Sequence, residues 1–223
     1  LVGSEMCIRD RTSLGAKERL ALSFRYMKDD PQNNIRVIPP LLRKEVTLHE
    51  PYSGDYIHGY MVNAGFSENV MKWHRQHPGI PLRFFWDKWE EEPVKRVDNT
   101  LSFYQLDDVE FLRQMAGCKA YASTAGFESV CEAMYLGKPI LMVPAHIEQD
   151  CNAYDAEKSG AGIISSDFNL QQLLEFAKDY HPNRDFVYWV RGAEYTLLNL
   201  LESDSSNYQQ VLFNEMYLVE EFI

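Results

Sequence analysis

Cysteine is scarce: the 223 residues hold four (Cys7, Cys118, Cys131 and Cys151), none in a Cys-x-x-Cys pair or at a metal-ligand spacing. This excludes a disulfide framework and a thiolate metal centre, and the expectation is structural thiols in a reducing, cytoplasmic setting with no metal. Long apolar runs are missing as well. No stretch of roughly 18 apolar residues occurs, so no membrane span is expected, and no secretory leader is recognisable. Positive charge is in deficit, with 22 Lys and Arg against 33 Asp and Glu, a net charge of −11 and a pI near 5.0. A nucleic-acid backbone requires a basic face, so nucleic acid is not an expected partner. A small phosphorylated ligand is still allowed, because backbone amides at a helix start hold a diphosphate without net positive charge.

What is present is an alternation of strand and helix. Residues 1–11 have no clear period and do not begin with Met; they are set aside as an artefactual or disordered leader. A short helix leading into a strand at Leu20 to Phe24 is expected next, then a polar loop and a strand at Ile35 to Ile38, halted by Pro39-Pro40. Residues 39–54 read as a linker. From Tyr56 the chain predicts strands at Tyr56–Val62, Leu82–Trp86, Leu101–Tyr104, Ala120–Ala122, Pro139–Val143 and Gly162–Ile164. Helices are predicted from an N-cap at Ser67, from Asp107 or Asp108, and over Gly126–Leu136, Ile147–Lys158, Leu170–Tyr180 and Phe186–Leu201. Asp87–Asn99 reads as a charged, solvated loop, and Ser203–Ile223 as a helix or tail. This order predicts an α/β fold, a parallel Rossmann-like sheet with helices on both faces. Such sheets bind ligands beyond the carboxyl ends of their strands.

One constellation lies in that position. Ser123-Thr124-Ala125-Gly126-Phe127-Glu128-Ser129-Val130-Cys131-Glu132 crosses from a strand into a helix with small residues at the junction. Small side chains allow close backbone approach, and first-turn N–H groups lack intrahelical acceptors, so an anion fits there. Glu132, too far into the helix to cap it, can accept hydrogen bonds from a vicinal diol. Gln149 and Asn152, three apart on a later helix, offer amides suited to sugar hydroxyls. Taken singly, each has a plainer use: a helix glutamate is usually solvated, amides cap or face water, and a loop histidine such as His146 is rarely a base. Trp73, Trp86 and Trp89 are expected to pack.

The combined frame runs Gly126-x-x-Ser129-x-x-Glu132, Gly137-Lys138-Pro139, Pro144, then Gln149-x-x-Asn152-Ala153, with Gly160-Ala161-Gly162 following. It resembles the donor-binding core of GT-B glycosyltransferases, both the UDP-glycosyltransferases and the N-acetylglucosaminyltransferase of peptidoglycan lipid-precursor synthesis. The resemblance implies a nucleotide-sugar substrate, UDP-linked, and no separate cofactor. It implies that the amides of Ala125, Gly126 and Phe127, with Thr124 and Ser129, hold the diphosphate, and that Glu132 reads the ribose. Gln149 would contact the sugar, Asn152 would brace the loop, the backbone at Gln105-Leu106 would meet the uracil, and the Asn63–Phe66 loop, with Gly65, would face the phosphates. Plant-type members carry His where this chain has Thr124. By the same resemblance, residues 51–202 form the donor domain and residues 12–50 the end of an N-terminal acceptor domain otherwise missing, leaving the catalytic base unassigned. The resemblance also allows a peripheral membrane contact in the full-length parent. Two alternatives stand: a donor-binding subunit that joins a separate acceptor-binding partner, and a UDP-N-acetylglucosamine 2-epimerase-like enzyme.

Overall fold

A computed structural model describes residues 15–16, 18–88 and 92–202. The leader at 1–11, Trp89 and the segment 203–223 therefore lie outside the described residues. The described residues divide into two compact units, one within residues 42–183 and one of those up to residue 41 together with 184–202.

The larger unit is built on a seven-stranded sheet. Its strands are β3 (Ile57–Met61), β4 (Leu82–Trp86), β5 (Val94–Arg96), β6 (Leu101–Gln105), β7 (Ala120–Ser123), β8 (Ile140–Met142) and β9 (Gly162–Ile164), in the order β5-β6-β4-β3-β7-β8-β9. All neighbours are parallel except β5 and β6. The helices are α1 (Ser67–Gln76), α2 (Asp108–Gly117), α3 (Phe127–Tyr135), α4 (Ile147–Lys158) and α5 (Leu170–Phe176). Strands covered on both faces should be apolar throughout. Accordingly β7 and β8 are buried at every position, and the core joins Ile57, Leu82, Phe84, Phe103 and Leu141 to Val70, Phe168 and Leu173. Gly59 is required in the central strand because a Cβ there would collide with the Phe84 ring.

Three local expectations change. Ser67 is not an N-cap: α1 follows a 3-10 turn at Ala64–Phe66, and Asn63 caps that turn by accepting the Gly65 N–H at 2.8 Å. The charged loop after β4 contains β5, a three-residue antiparallel edge strand whose exposed Lys95 and Arg96 hide it from any apolar pattern. Charge on an edge is how sheets avoid further pairing. Helix α5 stops at Phe176, because Lys178 and Asp179 bond carbonyls three residues back and tighten the last turn. By contrast Asp107 caps α2 as expected, accepting the Glu110 N–H at 2.8 Å.

The smaller unit pairs β1 (Arg19–Leu22) with β2 (Ile35–Ile38) in parallel. The connection, residues 23–34, is about the minimum a parallel crossover needs. The expected last helix is two, α6 (Arg184–Arg191) and α7 (Ala193–Glu202), interrupted at Gly192. Trp189 donates from its indole Nε1 to the Ser23 carbonyl at 3.0 Å and meets Tyr26 edge-on. Residues 184–202 thus group with the N-terminal segment rather than with 51–183 as the sequence suggested. The expected short helix before β1 is absent among the described residues. No described helix is long and apolar enough to cross a membrane.

His58, on β3, is fully buried, stacked on Tyr121 and edge-on to Phe85 and Phe111, and neither ring nitrogen has a hydrogen-bond partner. Burial, with Arg83 nearby, pushes its pKa down to about 3 from 6.5. The unfolded chain therefore takes up a proton below pH 6.5 that the folded chain refuses, and stability is lost as pH falls through that window, by about 1.4 kcal/mol per pH unit. Urea unfolding of wild type and His58→Leu near neutral pH and about two units lower should show a shallower acid loss in the variant; equal slopes would remove His58 as the cause.

Candidate functional site

Taken in chain order, the six parallel strands lie third, second, first, fourth, fifth, sixth across the sheet. The order reverses between β3 and β7, the position at which sheets of this kind form a ligand crevice beyond the carboxyl ends of their strands. The loop after β3 carries Asn63 and Gly65; the loop after β7 carries Thr124, Ala125 and Gly126. Leu106 follows β6, and the turn after β8 leads into α4 with Gln149 and Asn152. The expected donor-site residues thus lie on the loops and helices that follow the carboxyl ends of β3, β6, β7 and β8.

The loop after β7 is held from within. Ala125 is buried with φ +60°, a left-handed conformation that costs a non-glycine residue roughly 1–2 kcal/mol. Two contacts hold it there. The Ser123 Oγ accepts the Ala125 N–H at 3.1 Å, and the Asn152 side chain donates to the Ala125 carbonyl at 3.4 Å. Asn152 is therefore a brace, and the Ala125 amide is already engaged. Gly126 is the N-cap of α3 and supplies no side-chain cap. A Cβ on Gly126 would meet only the Ser129 Oγ, at 3.8 Å, and φ is −64°, so nothing inside the protein requires glycine. The Ser129 hydroxyl donates to the Gly126 carbonyl at 3.2 Å. Thr124 is fully buried, and its hydroxyl has no hydrogen-bond partner. Such groups are few in native proteins and commonly mark a site that something else completes.

Glu132, one and a half turns into α3, is only 3% exposed, not the solvated residue its helix position alone suggests. Its partner is Arg43, 89 residues earlier: Nε donates to Oε1 at 2.7 Å and Nη2 to Oε2 at 3.0 Å. Arg43 Nη1 also lies 3.4 Å from Asp108 Oδ1. The pair raises the arginine pKa and pulls the Glu132 carboxyl down, but burial outweighs its partner and leaves the Glu132 pKa above the ordinary value. Sequence reasoning missed Arg43, which stands in the linker without periodicity or motif. The signal that finds it is burial, because a buried carboxylate needs a cation.

The remaining residues divide. Gln149 is buried, and its carbonyl oxygen accepts the Ala145 N–H at 2.8 Å, fixing the turn before α4 and leaving its NH₂ group for another acceptor. Asn63 and Gly65 are bonded to each other, so the Gly65 amide is occupied internally. Leu106 is 55% exposed, and nothing in the protein covers it fully. His146 is an uncapping N-cap for α4. Lys138 is buried at the opposite, amino end of the sheet, donating to the carbonyls of Tyr52 (2.7 Å) and Cys118 (3.0 Å). Burial lowers its pKa, and it ties the linker to the sheet rather than facing the crevice. Among the described residues no group of His, Cys, Asp and Glu could hold a metal ion.

Residues 6–180 match the family model described as glycosyl transferase family 1. A Caenorhabditis elegans protein, ugt-48, named as a UDP-glucuronosyltransferase, is 26% identical over 105 residues, 46% of this chain and 20% of that protein. Among solved structures, the glycotransferase of kitacinnamycin superposes with a TM-score of 0.55 at 13% identity, covering 80% of this chain and 51% of that one. LpCGTa in complex with UDP gives a TM-score of 0.47 at 16% identity, with 82% and 48% covered. The chain thus spans about half the length of these structures and a fifth of the curated relative.

The raised Glu132 pKa has a consequence for stability. Its contribution is present below the ordinary carboxyl pKa of 4.5 and is lost as pH rises through the folded value. Glu132→Gln removes that buried charge, and Arg43, 37% exposed, still reaches water. Thermal melts at neutral pH should place Glu132→Gln at or above wild type; a clear fall would mean the ion pair stabilises the fold more than its burial costs.

Proposed function

The chain belongs to glycosyl transferase family 1, and from that premise we propose that its switch-point crevice holds the nucleotide end of a sugar donor, a UDP-linked hexose. The observation that carries this is the start of α3. It opens at the strand-order reversal, its N-cap is a glycine without internal reason, and no side chain caps it. Helices α1 and α4 also lack a side-chain cap, but α3 alone joins that to a glycine N-cap at the strand-order reversal, where the positive end of its dipole favours an anion. The Gly126 and Phe127 amides, with the Thr124 hydroxyl, would hold the diphosphate. The Glu132 carboxylate would accept the ribose hydroxyls, the Leu106 backbone would meet the base, and the Gln149 NH₂ group would reach the sugar.

In the reaction this site serves, a base takes the proton of an acceptor hydroxyl, the hydroxyl oxygen attacks the anomeric carbon, and the bond to the diphosphate breaks. Charge develops on the departing diphosphate oxygen, where helix-start amides stabilise it with little reorganisation. No residue of this chain is assigned as the base. The proposal for these residues is donor binding; the acceptor is bound elsewhere, by a further domain or a partner.

Titration calorimetry tests this with UDP. Gly126→Ala should leave the melting temperature within a degree or two, because its Cβ would meet only the Ser129 Oγ at an ordinary contact distance, yet weaken UDP by about tenfold (1.4 kcal/mol). Glu132→Ala should weaken UDP at least as much, since a hydrogen bond to a charged group contributes about 1.5–3 kcal/mol. Unchanged UDP affinity in both variants would overturn the assignment.

A further inference from the structure

The ion pair at the back of the site is lopsided. The Glu132 side chain is 4% exposed and the Arg43 side chain 37%. The guanidinium meets the carboxylate as a fork, one nitrogen to each oxygen. An ionised carboxylate has about four lone-pair positions, so the fork leaves one on each oxygen. Two acceptor positions on adjacent oxygens match the two hydroxyls of a vicinal diol.

We infer that Arg43 is a positioning residue for the nucleoside: its fork holds the buried Glu132 carboxylate charged and turned so that each oxygen keeps one lone pair for a ribose hydroxyl. This rests on the proposed reading of Glu132 as the ribose acceptor. Arg43 does not itself touch the donor; it acts through Glu132. The groups around Glu132 give the reason. Asp108 faces it from α2, Glu128 and Cys131 from α3 itself, and Tyr121 from β7. Of these, Asp108 and Glu128 repel its negative charge, and the burial disfavours that charge further. Arg43 is the group opposing them. Without it the carboxyl takes up a proton at a higher pH. A protonated carboxyl presents one O–H donor and can no longer accept from both hydroxyls.

The Asp108 contact fits the same role. Asp108 is the first residue of α2, two positions after Leu106, and Arg43 bridges it to Glu132. One linker side chain therefore ties the end expected to meet the base to the residue expected to meet the ribose.

The test is the ratio of affinities for UDP and 2′-deoxy-UDP, read by calorimetry from about pH 6 to about pH 8. A ratio cancels the titration of the nucleotide's own phosphate. Wild type should prefer UDP about tenfold at every pH. Arg43→Met should lose that preference at the acid end and regain part of it as pH rises. Arg43→Lys keeps the charge without the fork, so its preference should be smaller than that of wild type but level with pH. Should Arg43→Met fail to fold, Arg43→Lys decides: a preference equal to wild type overturns the proposal. In the folded Met variant, a preference equal to wild type at every pH overturns it too. Failure of the underlying reading looks different, because Glu132→Gln would then keep the full preference for UDP whatever Arg43 does.

Discussion

A parallel sheet that starts at its own middle constrains everything around it. β3 is the first strand of the sheet and lies in its interior, so the chain must wind outward through β4 and β6, return, and wind outward again through β7, β8 and β9. Each return needs a crossover over a face, which buries both faces and forces apolar strands. The two loops that leave β3 and β7 cannot cover the same ground, and a crevice remains between them. The place of the candidate site thus follows from strand order before any side chain is considered.

What the side chains add is a set of local arrangements with a stability cost. Ala125 holds a left-handed backbone, Thr124 buries a hydroxyl without a partner, α3 begins uncapped, and Glu132 carries a carboxylate into the interior. Each would be mildly destabilising alone. They are concentrated on the nine residues from Thr124 to Glu132 and supported by their surroundings: Ser123 and Asn152 hold the loop, and Arg43 holds the carboxylate. Elsewhere α2 and α5 are capped by side chains and the core is densely aromatic, though His58, Trp73 and His74 also bury ring nitrogens without partners.

Much of this was legible in the sequence for definable reasons. β2, α4 and β9 fall at the residues predicted, because their apolar patterns are bounded by proline, glycine or a charged turn. The crossing from β7 into α3 is recognisable because the small residues and Glu132 are close in sequence and their spacing is fixed by one helix. β5 was not legible, since an edge strand of Val94, Lys95 and Arg96 has no buried face to leave a period. The N-cap at Ser67 failed because the 3-10 turn capped by Asn63 runs straight into the helix, so Ser67 already has helical dihedrals and is the first residue of α1. The grouping of 184–202 with the N-terminal segment rests on Trp189 and Ser23, a contact 166 residues apart.

The sequence by itself determined the α/β alternation, the strand-to-helix crossing at Thr124 to Phe127, and the chemical types of the residues gathered there. Those properties follow from neighbours within one or two turns, where spacing dictates geometry. Only the tertiary structure decided that Glu132 is buried, that Arg43 is its partner, that the Ala125 amide is already engaged, and that β3 and β7 flank the reversal. Burial and pairing are properties of surfaces brought together from distant segments, and a carboxylate exposed on an isolated helix has the same spacing as one sealed against a linker arginine.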